Sequence, residues 1–377
     1  MIMPISPETF FSILTSNGVD FFTGVPDSLL KELCFYINNN VPSNRHIIAA
    51  NEGNAIAIAA GYHLGTGKLP LVYMQNSGFS NAVNPLLSLC DPEVYSIPIL
   101  LLIGWRGVPG IHDEPQHIKQ GNIQKQLMEI MDIPYKIISK DDREIKSKLT
   151  STISSALKNN RPYAILVKKG TFKKYISNQS LALESLMTRE EALEIILNKA
   201  GSNSITVSTT GKTAREIFEI RDKNYESHCK DVLTVGSMGH CSSIALGIAL
   251  AKPERTIICI DGDGALIMHM GSLATIGKLK PKNFKHILIN NRAHESVGGQ
   301  ETAADYIDIP AIAKANSYRN VYSVVNKDEL KASFGPFLKT SGPSFLEVNV
   351  RQGSRKDLGR PTIKPVDNKK GVMSYLR

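Results

Sequence analysis

Asp261 and Asp263 alternate with Gly262 and Gly264 at the end of the run IICIDGDG, residues 257–264. An apolar strand that runs into two carboxylates spaced by residues without side chains has two readings. Asp and Gly are the commonest makers of tight turns. A glycine-rich strand end also lets backbone N–H groups approach an anion closely. After Gly264 come 25 residues, and then the run HILINN ends in Asn290 and Asn291. A carboxylate at one strand end and an amide oxygen at the next are hard donors of the kind Mg²⁺ takes, with phosphate and water completing its shell. The helix start after Asp263 favours an anion. Together these residues predict a metal–diphosphate clamp at the carboxyl ends of parallel strands, where open α/β sheets place their ligands.

Shorter nucleotide motifs do not account for the chain. TTGKT (209–213) ends like a phosphate-binding P-loop, but Thr206 stands where its first glycine is needed. LGTGK (64–68) has Tyr62 at that place and Leu69 after the lysine, and GDGALI (262–267) has Ile267 where a dinucleotide fingerprint needs its last glycine. Neither HExxH nor CxxC occurs.

The elements that must position these residues read as alternating strands and helices. YAILV (163–167), ITVST (205–209), TIICI (256–260) and KHILIN (285–290) are strand-like runs between helical ones, the pattern of parallel α/β sheets. Residues 55–78 also resemble residues 241–264: a small-residue apolar helix, a short basic turn, an apolar strand and a polar end in Gly. Gly61 pairs with Gly247 and Gly78 with Gly264, both 186 residues apart. The fold expected is therefore α/β, with two similar doubly wound parallel-sheet domains. AIAIAA and IALGIALA are apolar nearly all round, which predicts burial on every side, in an interface between domains or subunits or in an ordinary core.

GDG–x25–NN resembles the signature of thiamine-diphosphate enzymes, in particular the thiamine-diphosphate-dependent decarboxylases. The resemblance implies that thiamine diphosphate and Mg²⁺ are the cofactors, with Asp263, Asn291 and the main chain of Ala293 as metal ligands. It also implies that Gly262, Gly264 and Ala265, and Thr210, Gly211 and Lys212, line the cofactor. Lys212 departs from the family, where relatives often have a hydroxyl residue. GSMG (236–239) is similar to the segment beneath the cofactor, with Gly236 and Ser237 beside it and Met238 propping its bent form. IIAANEGNAIAIAAGY (47–62) is similar to the pyrimidine-binding half, with Glu52 as the acid that favours the imino tautomer of the cofactor. Read without the resemblance, Glu52 is a helix-start acid favoured by the macrodipole. The domains implied are a pyrimidine-binding domain (1–175), a linker (176–190), a diphosphate-binding domain (191–365) and a C-terminal tail (366–377), with no middle domain. A homodimer or higher homo-oligomer with sites between subunits is also implied.

Further stretches, among them TGVPDSLLKEL (23–33), GWRGVPGIHDEPQHIKQG (104–121) and NNRAHESVGGQETA (290–303), resemble the phosphonopyruvate decarboxylase branch, with sulfopyruvate decarboxylases beside it. The resemblance implies 3-phosphonopyruvate, a 2-oxoacid, as substrate, and phosphonoacetaldehyde and CO₂ as products. Such a trianion needs cations. Arg106 is the bidentate anion clamp expected, with His112, His117 and Asp27 also at the substrate. Asp27, His117 and His294 are the candidates for proton handling, and each is equally readable as a structural loop residue.

Composition bounds the alternatives. Of 377 residues, 42% are hydrophobic and 21% charged, as in soluble globular proteins. The net charge of +9 is spread over scattered lysine pairs without a nucleic-acid motif, so no nucleic acid is expected. There is no apolar run of membrane-spanning length, and MIMPISPETFF lacks the pattern of a secretory signal, so no membrane association is expected. The odd count of five cysteines points to the reducing cytoplasm, with Cys241 and Cys259 as small hydrophobes.

Overall fold

The computed structural model describes residues 4–176 and 186–377. Residues 177–185, most of the expected linker, lie outside the described residues. The chain divides into two compact units, Met1–Gln179 and Ser180–Arg377.

The first unit carries six strands, β1 (Phe22–Gly24), β2 (His46–Ile48), β3 (Leu71–Gln75), β4 (Leu100–Gly104), β5 (Tyr135–Ile138) and β6 (Tyr163–Val167). They form one parallel sheet in the order β2-β1-β3-β4-β6-β5. The second unit carries β7 (Ser204–Ser208), β8 (Asp231–Leu233), β9 (Thr256–Gly262), β10 (Phe284–Asn290), β11 (Asn320–Val324) and β12 (Ser344–Asn349). Its parallel sheet runs β8-β7-β9-β10-β12-β11. Counted from its own first strand, each sheet has the same order. The duplication is thus one of topology, and the aligned segments 55–78 and 241–264 fall on equivalent elements, each a helix followed by the third strand of its sheet. Among the described residues no third unit stands between the two.

Continuous apolar strands follow from this architecture, because successive side chains point to opposite faces and both faces are covered. Leu100 and Leu102 pack with Phe10, Phe22 and Leu30 on one face of the first sheet, while Leu101 and Ile103 pack with Ala55, Ala59 and Phe79 on the other. In the second sheet Ile258 and Ile260 face Leu193 and Phe334, and Ile257 and Cys259 face Ala245 and Leu273.

The helix Glu52–Thr66 and the helix Cys241–Ala251 each bury one face within their own unit, while Ala57, Gly61 and Gly247 on the other side are exposed in the single chain. A single sheet covers only one stripe of a helix laid on it, so burial on every side requires a further partner. The residues expected as a C-terminal tail instead lie almost wholly in the helix Pro365–Tyr375, docked on β8, where Asn368 donates to the Asp231 carbonyl at 2.9 Å.

Leu102→Ala should lower the stability of the first unit by about 2–5 kcal/mol, the range for an emptied leucine site in a close-packed core. Fluorescence of Trp105, the sole tryptophan, one residue beyond β4, reports this unit in a urea titration. A change no larger than that of a surface substitution would refute the two-faced core.

Candidate active site

In each sheet the first and third strands lie side by side while their connections leave in opposite directions, the switch point at which such sheets open a crevice. The sequence-predicted site residues gather at the carboxyl ends of strands around these points.

In the first unit, the stretch Gln75–Gly78 that ends and follows β3 organises three of them. Gln75 Nε2 donates to Asp27 Oδ1 at 2.7 Å. The Asn76 side chain exchanges two hydrogen bonds with the backbone of Arg106, at 2.9 and 3.0 Å. Gly78 leaves the space that the Glu52 carboxyl fills, since a Cβ there would sit 1.9 Å from Glu52 Oε1. Glu52 is the first residue of its helix, whose cap is Asn51, and its Oε2 accepts from Asn81 Nδ2 at 2.8 Å. It is 5% exposed, and burial pushes its pKa up against the opposing bond from Asn81.

Asp27 is fully buried. Burial pushes its pKa up, opposed by Gln75, by the Leu29 N–H and by the nearby Arg106 charge. A Cβ on Gly104, the last residue of β4, would lie 1.9 Å from Asp27 Oδ2, so this site too is built around a missing side chain.

Arg106 has partners within its own unit. Its bidentate face is taken by Asp113: Nε donates to Oδ2 at 2.8 Å, and Nη2 pairs with Oδ1. Nη1 reaches Ser28 Oγ at 3.1 Å. The fork that would grip an anion is already matched to a carboxylate of its own loop. Although burial opposes it, Arg106 holds the Asp113 carboxyl well below the usual range. His117, buried, lies in the first turn of the helix Pro115–Ile130, where its carbonyl crowds Gly107, while His112 is exposed in the preceding loop.

In the second unit, Asp263 opens the helix Asp263–Met268 directly after β9. It is 3% exposed, and Thr302 Oγ1 donates to its Oδ2 at 2.5 Å. Burial pushes its pKa up to about 6, against the pull of Thr302 and of backbone N–H groups including that of Asn291. His294 packs against Gly264, where a Cβ would come within 2.9 Å of its Nδ1, and burial brings its pKa down to about 4, leaving the ring neutral. Asn291 is oriented by Glu295: its Nδ2 donates to Glu295 Oε2 at 2.6 Å, which turns Oδ1 toward the Ala293 N–H at 3.2 Å.

Glu295 also accepts from Lys212 Nζ at 2.9 Å and from Arg189 at 2.7 Å. Through it the loop after β10 is tied to the loop after β7, where Thr210 precedes Gly211 and Lys212. Gly211 adopts φ +94° beneath Ser296, whose Oγ a Cβ would approach to 2.5 Å. The helix that Lys212 opens has no side-chain cap, so its first N–H groups remain for another acceptor.

Gly236, Ser237 and Met238 follow β8. Ser237 holds a left-handed backbone (φ +52°), a strained choice for a residue with a side chain. Gly239 packs under Ala265 and His269, which sets this loop beside the Asp263 helix. Sequence reasoning missed Gln75, Asn81, Asp113, Glu295 and Thr302. Asp113 lies within the run 104–121, and Glu295 and Thr302 within 290–303, but nothing in their spacing marks them as partners.

Because burial raises the pKa of Glu52 above its unfolded value, its contribution to stability is present at low pH and lost as pH rises through the native pKa. Glu52→Gln, which stays neutral, should therefore raise the Tm of the cofactor-free protein at about pH 7.5 and do so much less at about pH 4.5. Gly78→Ala should lower Tm at both. A Glu52→Gln difference that does not vary with pH would mean that the carboxyl is not desolvated.

Two family models match the chain. The thiamine pyrophosphate enzyme N-terminal TPP binding domain matches residues 7–132, and the thiamine pyrophosphate enzyme C-terminal TPP binding domain matches residues 209–348. Among curated proteins, a phosphonopyruvate decarboxylase of Streptomyces viridochromogenes is 34% identical over 94% of this chain and 90% of its own length. One of Streptomyces hygroscopicus is 33% identical over 96% and 91%. A sulfopyruvate decarboxylase of Methanosarcina acetivorans is 30% identical over 92% of each. With both halves matched in order and nearly its whole length shared with such relatives, the chain belongs to the thiamine pyrophosphate enzyme family.

Proposed function

We propose that this protein decarboxylates 3-phosphonopyruvate to phosphonoacetaldehyde and CO₂, with thiamine diphosphate and Mg²⁺ as cofactors. The observation that carries this reading is the likeness to two phosphonopyruvate decarboxylases across nine-tenths or more of both chains. The donor set suits the metal: the Asp263 carboxylate, Asn291 Oδ1 and the Ala293 carbonyl are all hard oxygens. The open N–H groups at Lys212 and the glycines at 262 and 264 suit a diphosphate.

When bound, the cofactor supplies the electron sink that a departing CO₂ requires. The residues of the chain bind, orient and manage protons around it. Glu52, held uncharged more readily than an exposed glutamate, would keep a proton at the pyrimidine N1′. Met238 would prop the cofactor and the Gly236 carbonyl would orient its pyrimidine. Asp27, whose burial raises its pKa, holds a proton more readily than an exposed aspartate, and His117, in the first turn of the helix Pro115–Ile130, is the second proton carrier. His294, neutral against Gly264, walls the metal turn and is able to accept a proton.

The substrate carries roughly three negative charges near neutrality, so Arg106 must share itself between Asp113 and the substrate. Removing Arg106 alone would strand Asp113, so the comparison is made in an Asp113→Asn background. There Arg106→Leu should reduce kcat/KM for phosphonopyruvate by about 30–150-fold, the loss of one charge-assisted contact, and change any pyruvate activity far less. The parent protein, given phosphonopyruvate, sulfopyruvate and pyruvate separately while CO₂ release is followed, should prefer the first. A preference for sulfopyruvate would move the assignment to that reaction, the reading favoured by the 30% identical relative.

We also infer that the site is completed by a second copy of the chain, a reading supported by the exposed small-residue faces at Ala57, Gly61 and Gly247. Glu52→Gln and Asp263→Ala, each inactive alone, should complement when co-expressed, with about one quarter of sites intact in a random dimer population. No recovered activity in verified mixed dimers would place Glu52 and Asp263 of one site on one chain.

A further inference from the structure

Cys241 and Cys259, read from sequence as two small hydrophobes, meet in the second unit. Their Sγ atoms are 3.3 Å apart, well beyond a disulfide bond, and both thiols are free. Cys259 and Asp261 lie two residues apart on β9 and so share a face. His286 is the register partner of Cys259 on β10, and Cys241 opens the helix that covers that face. The donor atoms of Cys241, Cys259 and Asp261 all fall within 4.8 Å of one another, and His286 Nε2 is 3.5 Å from Asp261 Oδ2. None of the four residues is more than 1% exposed.

The hydrogen bonding of this cluster is incomplete in one direction only. Asp261 Oδ1 accepts from the Gly262 N–H at 2.9 Å, and His286 Nδ1 meets the Tyr318 hydroxyl at 3.1 Å. The opposite atoms, Asp261 Oδ2 and His286 Nε2, are buried and face each other at 3.5 Å, too far for a good hydrogen bond. Two polar atoms held only this loosely in a core are costly, and the Asp261 carboxylate has an oxygen within 4.8 Å of both sulfurs. A histidine whose far nitrogen is held by a hydroxyl, and a carboxylate whose far oxygen is held by a backbone N–H, are oriented as metal ligands are.

We propose that Cys241, Cys259, Asp261 and His286 bind a zinc ion. Two thiolates, one imidazole and one carboxylate are zinc donors, and the sulfurs exclude a preference for Mg²⁺. Zinc–sulfur and zinc–nitrogen or –oxygen bonds of about 2.3 and 2.0 Å set tetrahedral edges of roughly 3.8 Å between sulfurs and 3.3 Å between nitrogen and oxygen. The two edges of 3.3 and 3.5 Å lie within about half an ångström of these values, and closing the site also draws the His286 ring toward the sulfurs. Binding displaces the thiol protons to solvent. The ion would pin β9, β10 and the Cys241 helix together directly behind Asp263 and Asn291. The proposal stands apart from the assigned reaction, because its donors are not those of the Mg²⁺ site.

The full-length protein, produced with zinc in the medium and dialysed against a chelator, should retain about one zinc per chain and release it only on unfolding. Mass spectrometric metal analysis measures this on the unaltered protein. Cys259→Ser and His286→Gln, if folded by circular dichroism, should lose the zinc, and Cys229→Ser should keep it. Reconstitution with Co²⁺ should give thiolate-to-metal charge-transfer absorption that Cys259→Ser abolishes. Zinc far below one per chain in the unaltered protein, or an intact mass lacking the two thiol hydrogens of a Cys241–Cys259 pair, would overturn the assignment. So would full zinc retention in folded Cys259→Ser.

Discussion

A carboxyl taken out of water resists ionisation, and this one constraint shapes both halves of the molecule. Asp27, Glu52 and Asp263 are all buried, and burial pushes the pKa of each upward. None has a cation as its immediate partner: Glu52 is held by an amide, Asp27 by an amide and a backbone N–H, Asp263 by a hydroxyl and backbone N–H groups. Such groups cost stability unless a ligand completes their environment, and perturbed acids in a crevice mark sites of chemistry more often than structure. The neighbouring backbone yields space for them. Gly78 admits Glu52, Gly104 admits Asp27, and Gly264 admits the histidine that closes over the Asp263 turn. A methyl group at any of these would displace the functional side chain rather than merely crowd a loop.

The duplication explains why one short segment does so much in each half. The third strand lies at the switch point, so whatever follows it projects into the crevice. In the first half that segment is Gln75-Asn76-Ser77-Gly78, and its side chains hold Asp27 and the Arg106 backbone while its glycine admits Glu52. The equivalent residues of the second half are Asp261-Gly262-Asp263-Gly264. There the segment carries the carboxylates itself, with glycines between them. The same place in the fold carries positioning side chains in one half and buried carboxylates in the other.

Much of this was legible in the chain. The strands show because both faces of each sheet are covered, which demands unbroken apolar runs such as LLLIG and TIICI. Asp263 and Asn291 show because their spacing is set by one helix-containing crossover between adjacent strands. What did not show are pairings across elements. Nothing in sequence tells that Asp113 occupies the Arg106 fork, that Thr302 caps Asp263, or that Asn81 reaches back to Glu52, because each depends on how a loop is laid over a sheet. The two apolar helices are of the same kind: their composition announces burial but not which partner supplies it.

Glu295 shows how such unseen pairings become function. Lys212 sits at the first residue of its helix, where the macrodipole repels a cation. Glu295 offsets that repulsion, and although burial pushes its own pKa up, Arg189 and Lys212 hold it below the usual carboxylate range. Arg189 is in turn paired with Glu216 at 2.6 and 2.7 Å, so the cluster has two acids and two bases and little net charge. Buried ion pairs of this kind add little stability over an apolar core, because desolvation cancels much of the attraction. Their yield is geometric. By taking the Asn291 amide N–H, Glu295 settles which end of that side chain turns toward Ala293, and by holding Lys212 it keeps the loop after β7 in register with the loop after β10. A carboxylate that touches no predicted ligand atom thereby decides where one predicted oxygen donor points.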